Sequence, residues 1–201
     1  MISNIMFDLG RVLLTYEPRE YLINLYTDPV KADCLYQAVF GNPVWLELDR
    51  GVVSEEDAYE RMVEVAPYPE EIYYLLQHWD EMLSPIHQVV QIAERLKENN
   101  YSLYILSNFH KKAYEKIYKK FRFFKLFDGI LISAYTGFIK PDLAIYRKIL
   151  TEYSISPEGT LFIDDTAENI AGAEKAGITG LLFHDGAQLE RDLYRLGILS
   201  P

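Results

Sequence analysis

Ile5-Met6-Phe7-Asp8-Leu9-Gly10 runs directly into Arg11-Val12-Leu13-Leu14, so an apolar run meets an acid and a glycine and then turns apolar again. Such a run reads as a buried strand that ends at Asp8. The pattern recurs downstream. Leu103-Tyr104-Ile105-Leu106 ends at Ser107-Asn108, Gly129-Ile130-Leu131-Ile132-Ser133 leads through Thr136-Gly137 to Lys140-Pro141, and Thr160-Leu161-Phe162-Ile163 ends at Asp164-Asp165. Gly180-Leu181-Leu182-Phe183 is a fifth such run. Helical stretches separate them. One opens at Ser84-Pro85 with Ile86, Val89, Val90, Ala93 and Leu96 at helical spacing, and a basic one spans about Lys111 to Phe121. A third opens at Pro141, a small-residue helix runs from Ala167 towards Gly177, and the last lies around Leu189 to Leu196. Continuous apolar strands alternating with amphipathic helices predict an α/β fold, a doubly wound, Rossmann-like parallel sheet covered on both faces.

Between the first two strands the character changes. Residues 16–86 are rich in Tyr, Glu and Asp, hold both tryptophans, Trp45 and Trp79, and read as several helices with no convincing strand. Ser54-Glu55-Glu56-Asp57 is a capping-box-like helix start, with Ala58, Met62 and Val65 following at helical spacing. The expected organisation is a core built from residues 1–15 and 87–201, with residues 16–86 as an inserted helical cap.

At 201 residues, with 49% apolar and 25% charged residues, the chain is long enough to bury about 70% of its unfolded surface, and disordered classes are excluded. The net charge of -10 argues against nucleic-acid binding and against an anionic membrane surface. No apolar run approaches the roughly 18 residues of a membrane span, and Met1-Ile2-Ser3-Asn4 lacks the basic start of a secretion signal. The single Cys34 reads as a small buried hydrophobe, and the expected compartment is the reducing cytoplasm. Oligomeric state is not encoded in any pattern found.

In open α/β sheets, ligands sit outside the carboxyl ends of the strands. Those ends deliver Asp8, Ser107, Asn108, Asp164 and Asp165, with Lys140 at a helix start nearby. Clustered carboxylates are either protonated or neutralised by a cation, and an oxygen-only donor set suits Mg²⁺. Ser107 suits a phosphate oxygen, Lys140 a second one, and Asp8 keeps a carboxylate oxygen free to attack phosphorus. The constellation points to phosphoryl transfer through an aspartyl-phosphate on a small phosphorylated metabolite.

The same elements, in this order, resemble the haloacid dehalogenase superfamily. Phe7-Asp8-Leu9-Gly10 with Val12-Leu13 looks like its nucleophile loop, Leu106-Ser107-Asn108 like its phosphate-binding strand end, Lys140-Pro141 like its lysine motif, and Phe162-Ile163-Asp164-Asp165 with Asn169 like its acidic metal motif. The resemblance implies that Asp8 is the nucleophile and that Mg²⁺ is held by Asp8, the Gly10 carbonyl, Asp164 and Asp165. Lys140 would orient nucleophile and phosphate. Phosphatases of the superfamily usually carry an acid/base Asp two residues after the nucleophile, and Gly10 stands there. A branch resembling sugar-1-phosphate phosphatases shares the Asp-Leu-Gly form and a phrase similar to Asp49-Arg50-Gly51-Val52-Val53-Ser54. The expected substrate is then an aldose 1-phosphate, whose anomeric leaving oxygen needs little protonation. Substrate identity is expected to depend on cap residues such as Trp45, Asp49 and Arg50, whose orientation spacing does not give, with Arg50 as a substrate-binding candidate.

Three other readings compete. A dehalogenase would not need the pair Asp164-Asp165, and a receiver-type phosphoacceptor module places its acidic pair first rather than last. A non-catalytic, ligand- or partner-binding family member is motivated by Gly10. His78, His87, His110 and His184 lack metal-ligand spacing and read as structural, His110 alone being placed to visit the site. Lys111, Lys112, Lys116, Lys119 and Lys120 read as a solvated helix face able to draw in an anion.

Overall fold

A computed structural model describes residues 2–200. The opening apolar run forms β1 (Asn4–Phe7), and the other strands are β2 (Ser102–Ser107), β3 (Gly129–Ile132), β4 (Thr160–Asp164) and β5 (Thr179–Leu182). All neighbours pair in parallel in the order β3-β2-β1-β4-β5, which puts β1 at the centre, its Met6 level with Tyr104 and Phe162. The side-chain period of two divides the core between two faces. Ile5, Phe7, Leu103 and Ile105 join one apolar cluster, whereas Met6, Tyr104, Leu106 and Phe162 join the other.

Helices cover both faces. On the first lie α6 (His87–Glu98), α7 (Lys111–Lys120) and α10 (Gly186–Arg195), through Val89, Ile117 and Leu189. On the second lie α8 (Leu143–Glu152) and α9 (Ala167–Lys175), through Ile145, Tyr146 and Ala173. From β1 the chain builds outward in both directions, and the doubly wound, Rossmann-like reading holds.

Between β1 and β2 come α1 (Pro18–Leu25), α2 (Pro29–Ala38), α3 (Pro43–Arg50), α4 (Glu55–Val63) and α5 (Pro69–His78), then a 3-10 turn at Trp79–Met82. Proline opens α1, α2, α3 and α5, where its missing N–H costs nothing. Asp28 and Asn42 cap α2 and α3, and Ser54 with Asp57 closes both halves of the expected capping box on α4.

The two ends of this helical segment run side by side. The Thr15 N–H donates to the Ser84 carbonyl at 2.8 Å, the Ile86 N–H to the Leu13 carbonyl at 2.9 Å, and Leu14 bridges Pro85 antiparallel. This seam corrects the expectation that Ser84-Pro85 opens a helix: both residues are held extended against Leu14 and Thr15, so α6 begins at His87. Pro141 likewise precedes its helix rather than opening it, because Asp142 turns back on Ile139 and α8 begins at Leu143.

The basic face of α7 is only partly solvated as expected. Lys112 pairs with Glu55 at 2.8 Å and Lys116 with Asp80 at 3.0 Å, tying α7 to the helical segment. Cys34 is free and half-buried. No helix among the described residues is long and apolar enough to cross a membrane.

The C-terminus of α3 is pinned to the sheet. Gly51 ends the helix at φ 74°, and a Cβ there would lie 2.3 Å from the Ala134 carbonyl oxygen. Gly137 has a similar φ of 77° but open space around it, so the two glycines separate backbone strain from close approach. Gly137→Ala should cost about 1 kcal/mol. Gly51→Ala should cost clearly more, on the order of 3 kcal/mol, in chemical denaturation; equal losses would show that the approach to Ala134 carries no energetic weight.

Candidate active site

Because the strands are parallel, their carboxyl ends share one edge. Asp8 extends β1 by one residue, its N–H donating to the Ile163 carbonyl at 2.9 Å. A tight loop follows: the Leu13 and Leu14 N–H groups both donate to the Leu9 carbonyl, and Arg11 takes a positive φ of 59°. Leu9 N–H donates to Asp8 Oδ1 at 2.7 Å, which fixes the carboxylate's rotation.

Lys140 stands across from Asp8, 3% exposed. Its Nζ lies 2.8 Å from Asp8 Oδ1 and 2.7 Å from Asp164 Oδ2. Asn108 holds the lysine's backbone: its Nδ2 donates to the Lys140 carbonyl at 3.0 Å, and its Oδ1 accepts the Lys140 N–H at 2.8 Å. Asn108, expected from sequence to bind phosphate, lines the cavity and through these two bonds also holds Lys140 in place. Asp164 is fully buried and also accepts from the Thr166 N–H at 2.8 Å and from Asn169 Nδ2 at 3.0 and 3.1 Å.

Asp8, Asp164 and Asp165 each bring a carboxylate oxygen within 4.8 Å of the others. One ammonium therefore faces three carboxyl groups. Burial pushes Asp8 up to about 7, with the Asp164 charge adding to this and Lys140 and Ser107 pulling it back. Burial and Asp164 also raise Asp165, which is partly exposed. For Lys140, burial works against the charge, but Asp8 and Asp164 outweigh it and hold the ammonium above its usual range.

These groups open into a cavity of about 210 Å³. Gly10 and Ser107 lie on its wall beside Asp8 and Lys140, and four rings also line it: Tyr16, Trp45, Trp79 and Phe109. Trp79 joins the rings, with centroids 5.2 Å from Trp45, 5.0 Å from Phe109 and 6.1 Å from Tyr16. Asp49, at the end of α3, is 8% exposed and also lines the cavity. Arg50 does not. It pairs with Asp142 at 3.3 Å outside the wall, because the next helical position points away from the one Asp49 occupies.

Sequence reasoning missed Tyr16, Trp79 and Phe109 as wall residues; only the position of Phe109 directly after Asn108 signalled one. An added Cβ at Gly10 would meet only Tyr16 Cβ, at 3.9 Å, so space does not require glycine there.

The model of the family described as haloacid dehalogenase-like hydrolase matches residues 51–183. The chain belongs to this family. For this haloacid dehalogenase-like hydrolase, the matched segment contains Ser107, Lys140, Asp164 and Asp165, and Asp8 joins them through the pairing of β1 with β2 and β4. The sesquiterpene phosphatase astK of Aspergillus oryzae is 27% identical over 192 residues, 95% of this chain and 94% of that protein. The drimenol cyclase drtB of Aspergillus calidoustus is 28% identical over 197 residues, 96% of this chain but 36% of the cyclase. A HAD family enzyme of Bacteroides thetaiotaomicron, solved with magnesium and inorganic phosphate, superposes with a TM-score of 0.72 at 21% identity, covering 92% of this chain and 96% of that one.

The raised Asp8 has a consequence for this hydrolase in the absence of divalent cations. Its unfolded value is about 3.8 and its folded value about 7, so between them the native state binds more protons than the unfolded state and stability falls as pH rises. Asp8→Asn removes that penalty. In chelator-treated protein the melting temperature of the variant relative to the parent should rise by about 3 °C or more between pH 5 and pH 8; an offset of equal size at both pH values would refute the ionisation argument.

Proposed function

We propose that this protein is a Mg²⁺-dependent phosphatase that hydrolyses a small phosphate monoester through an aspartyl-phosphate on Asp8. The observation that supports it most is the group of three carboxylates, within 4.8 Å of one another, beside the buried ammonium of Lys140. The excess negative charge and the hard oxygen donors fit Mg²⁺, held by Asp8, the Gly10 carbonyl, Asp164 and Asp165. When bound, the ion would screen the nucleophile from the phosphate and polarise a phosphoryl oxygen. The neighbour solved with magnesium and phosphate supports the same reading.

In this reading Lys140 favours the ionised form of Asp8 against its burial and neutralises a phosphoryl oxygen, while the Ser107 hydroxyl donates to another. The free oxygen of Asp8 attacks phosphorus as the ester P–O bond breaks. Water then attacks the aspartyl-phosphate, releasing phosphate and regenerating Asp8. Residues 16–86 act as the cap and residues 1–15 with 87–201 as the core, the seam at Leu14 and Pro85 joining them.

Substrate choice lies with the aromatic rings of the cavity. Four rings favour an organic group with an apolar face, which a prenyl monophosphate presents along its whole length and an aldose 1-phosphate only through its C–H bonds. The sesquiterpene phosphatase relative supports the apolar choice. With Mg²⁺ present, kcat/KM for geranyl monophosphate should exceed that for glucose 1-phosphate, and glucose 6-phosphate should be the poorest of the three. The reverse order between the first two would return the assignment to aldose 1-phosphates. Asp8→Asn should lower phosphate release at least about 10³-fold, and chelation should abolish it; retained turnover in the variant would remove Asp8 as nucleophile.

A further inference from the structure

With glycine at position 10, no side chain of the Asp8 loop can protonate the leaving oxygen or deprotonate the attacking water. Among the cavity's titratable groups, Asp8 and Asp165 face the cation site, and Lys140 is held between Asp8 and Asp164. The Arg11 guanidinium has no acceptor atom and sits half-exposed beside Glu17, while burial drives the Tyr16 phenol far above its ordinary range. Asp49 remains. It is a cavity carboxyl that pairs with no lysine or arginine and is not among the three clustered carboxylates.

Its surroundings set it apart from an ordinary buried acid. His110 Nε2 lies 3.2 Å from Asp49 Oδ1, off the line of a well-formed hydrogen bond, so this buried nitrogen has no hydrogen-bond partner among the described residues. The ring is 3% exposed, packs 4.1 Å from Trp45 and 5.2 Å from Trp79, and its other nitrogen bonds the Trp45 backbone. Burial holds His110 neutral, down at about 3. Burial, then the Asp8 charge, raises Asp49 well above the carboxylate range, with Lys140 opposing. The Asp49 carbonyl accepts from Ser133 Oγ, which itself accepts the Phe109 N–H at 2.9 Å, so the end of α3 is fastened to the ends of β2 and β3.

We propose that Asp49 is the catalytic acid and base of this site, in place of the missing Asp at position 10, and that His110 is its positioning residue. The inference rests on the phosphatase reading above. In the first step the ester P–O bond breaks, the electron pair stays on the leaving oxygen, and that oxygen takes the proton of the Asp49 carboxyl. In the second, the Asp49 carboxylate accepts a proton from the water whose oxygen attacks phosphorus, and the acid is restored. With Oδ1 against His110, Oδ2 is the oxygen left for substrate. The His110 lone pair facing the carboxylate raises its basicity and favours reprotonation.

The test compares leaving groups. A nitrophenoxide leaves without a proton; an alkoxide does not. Asp49→Asn should lower kcat/KM for an alkyl phosphate by about 10²–10³ and for nitrophenyl phosphate by less than about tenfold. Asp49→Ala should give the same ratio and replaces the Asn variant if that one does not fold. His110→Gln, which presents a donor where the lone pair was, should move the alkaline limb of the alkyl ester's kcat/KM profile to lower pH without moving it for the aryl ester. An alkyl-to-aryl ratio unchanged in both Asp49 variants overturns this inference alone. Failure of the parent protein to release phosphate from either ester overturns the phosphatase reading and this inference together.

Discussion

One buried ammonium between two buried carboxylates organises this molecule. Lys140 Nζ is within 2.8 Å of both Asp8 and Asp164, and all three residues are buried. Isolated charges at such depth are costly, so each depends on the others and on the hydrogen bonds that complete their shells. Asn108 fixes the Lys140 backbone, Asn169 and the Thr166 N–H complete Asp164, and the Leu9 N–H orients Asp8. These supporting residues follow the ends of β1, β2 and β4. The parallel sheet is therefore what makes the charge cluster possible, and the cluster in turn restricts how those strand ends can be placed.

The helical segment meets this edge through a small number of defined contacts. The seam of Leu13–Thr15 with Ser84–Ile86 anchors both of its ends, the close approach of Gly51 to Ala134 fixes α3, and Lys112 and Lys116 tie α7 to Glu55 and Asp80. The exposed ion pairs contribute little each, whereas the packed contacts cannot slip without a clash. The cavity is lined by apolar rings as well as by charged groups, a lining suited to a phosphoryl group joined to an organic one.

Much of the site was legible because its residues terminate strands. An apolar run that stops at Asp8, at Ser107-Asn108 or at Asp164-Asp165 is a local signal, and parallel pairing carries all three to one edge. Helix entry at Ser84-Pro85 was misread, since nothing near those residues reveals that Leu14 and Thr15, some seventy positions earlier, hold them extended. Arg50 and Asp49 are adjacent in the same short helix, yet one lies on the cavity wall and the other outside it. Which one faces inward depends on the rotation of α3, and spacing within eight residues does not encode that.

The amino-acid sequence by itself determined the doubly wound sheet and the inventory at its carboxyl edge, because strand period, strand length and terminal residue type are properties of short stretches of chain. Which residues of the helical segment line the cavity is set only by packing in three dimensions. Asp49 is aimed by Ser133, 84 residues away, and backed by His110 from the loop after β2. Contacts of that range are set by how the helical segment packs on the sheet, and packing sums many weak, non-local interactions that leave no periodic trace in the chain.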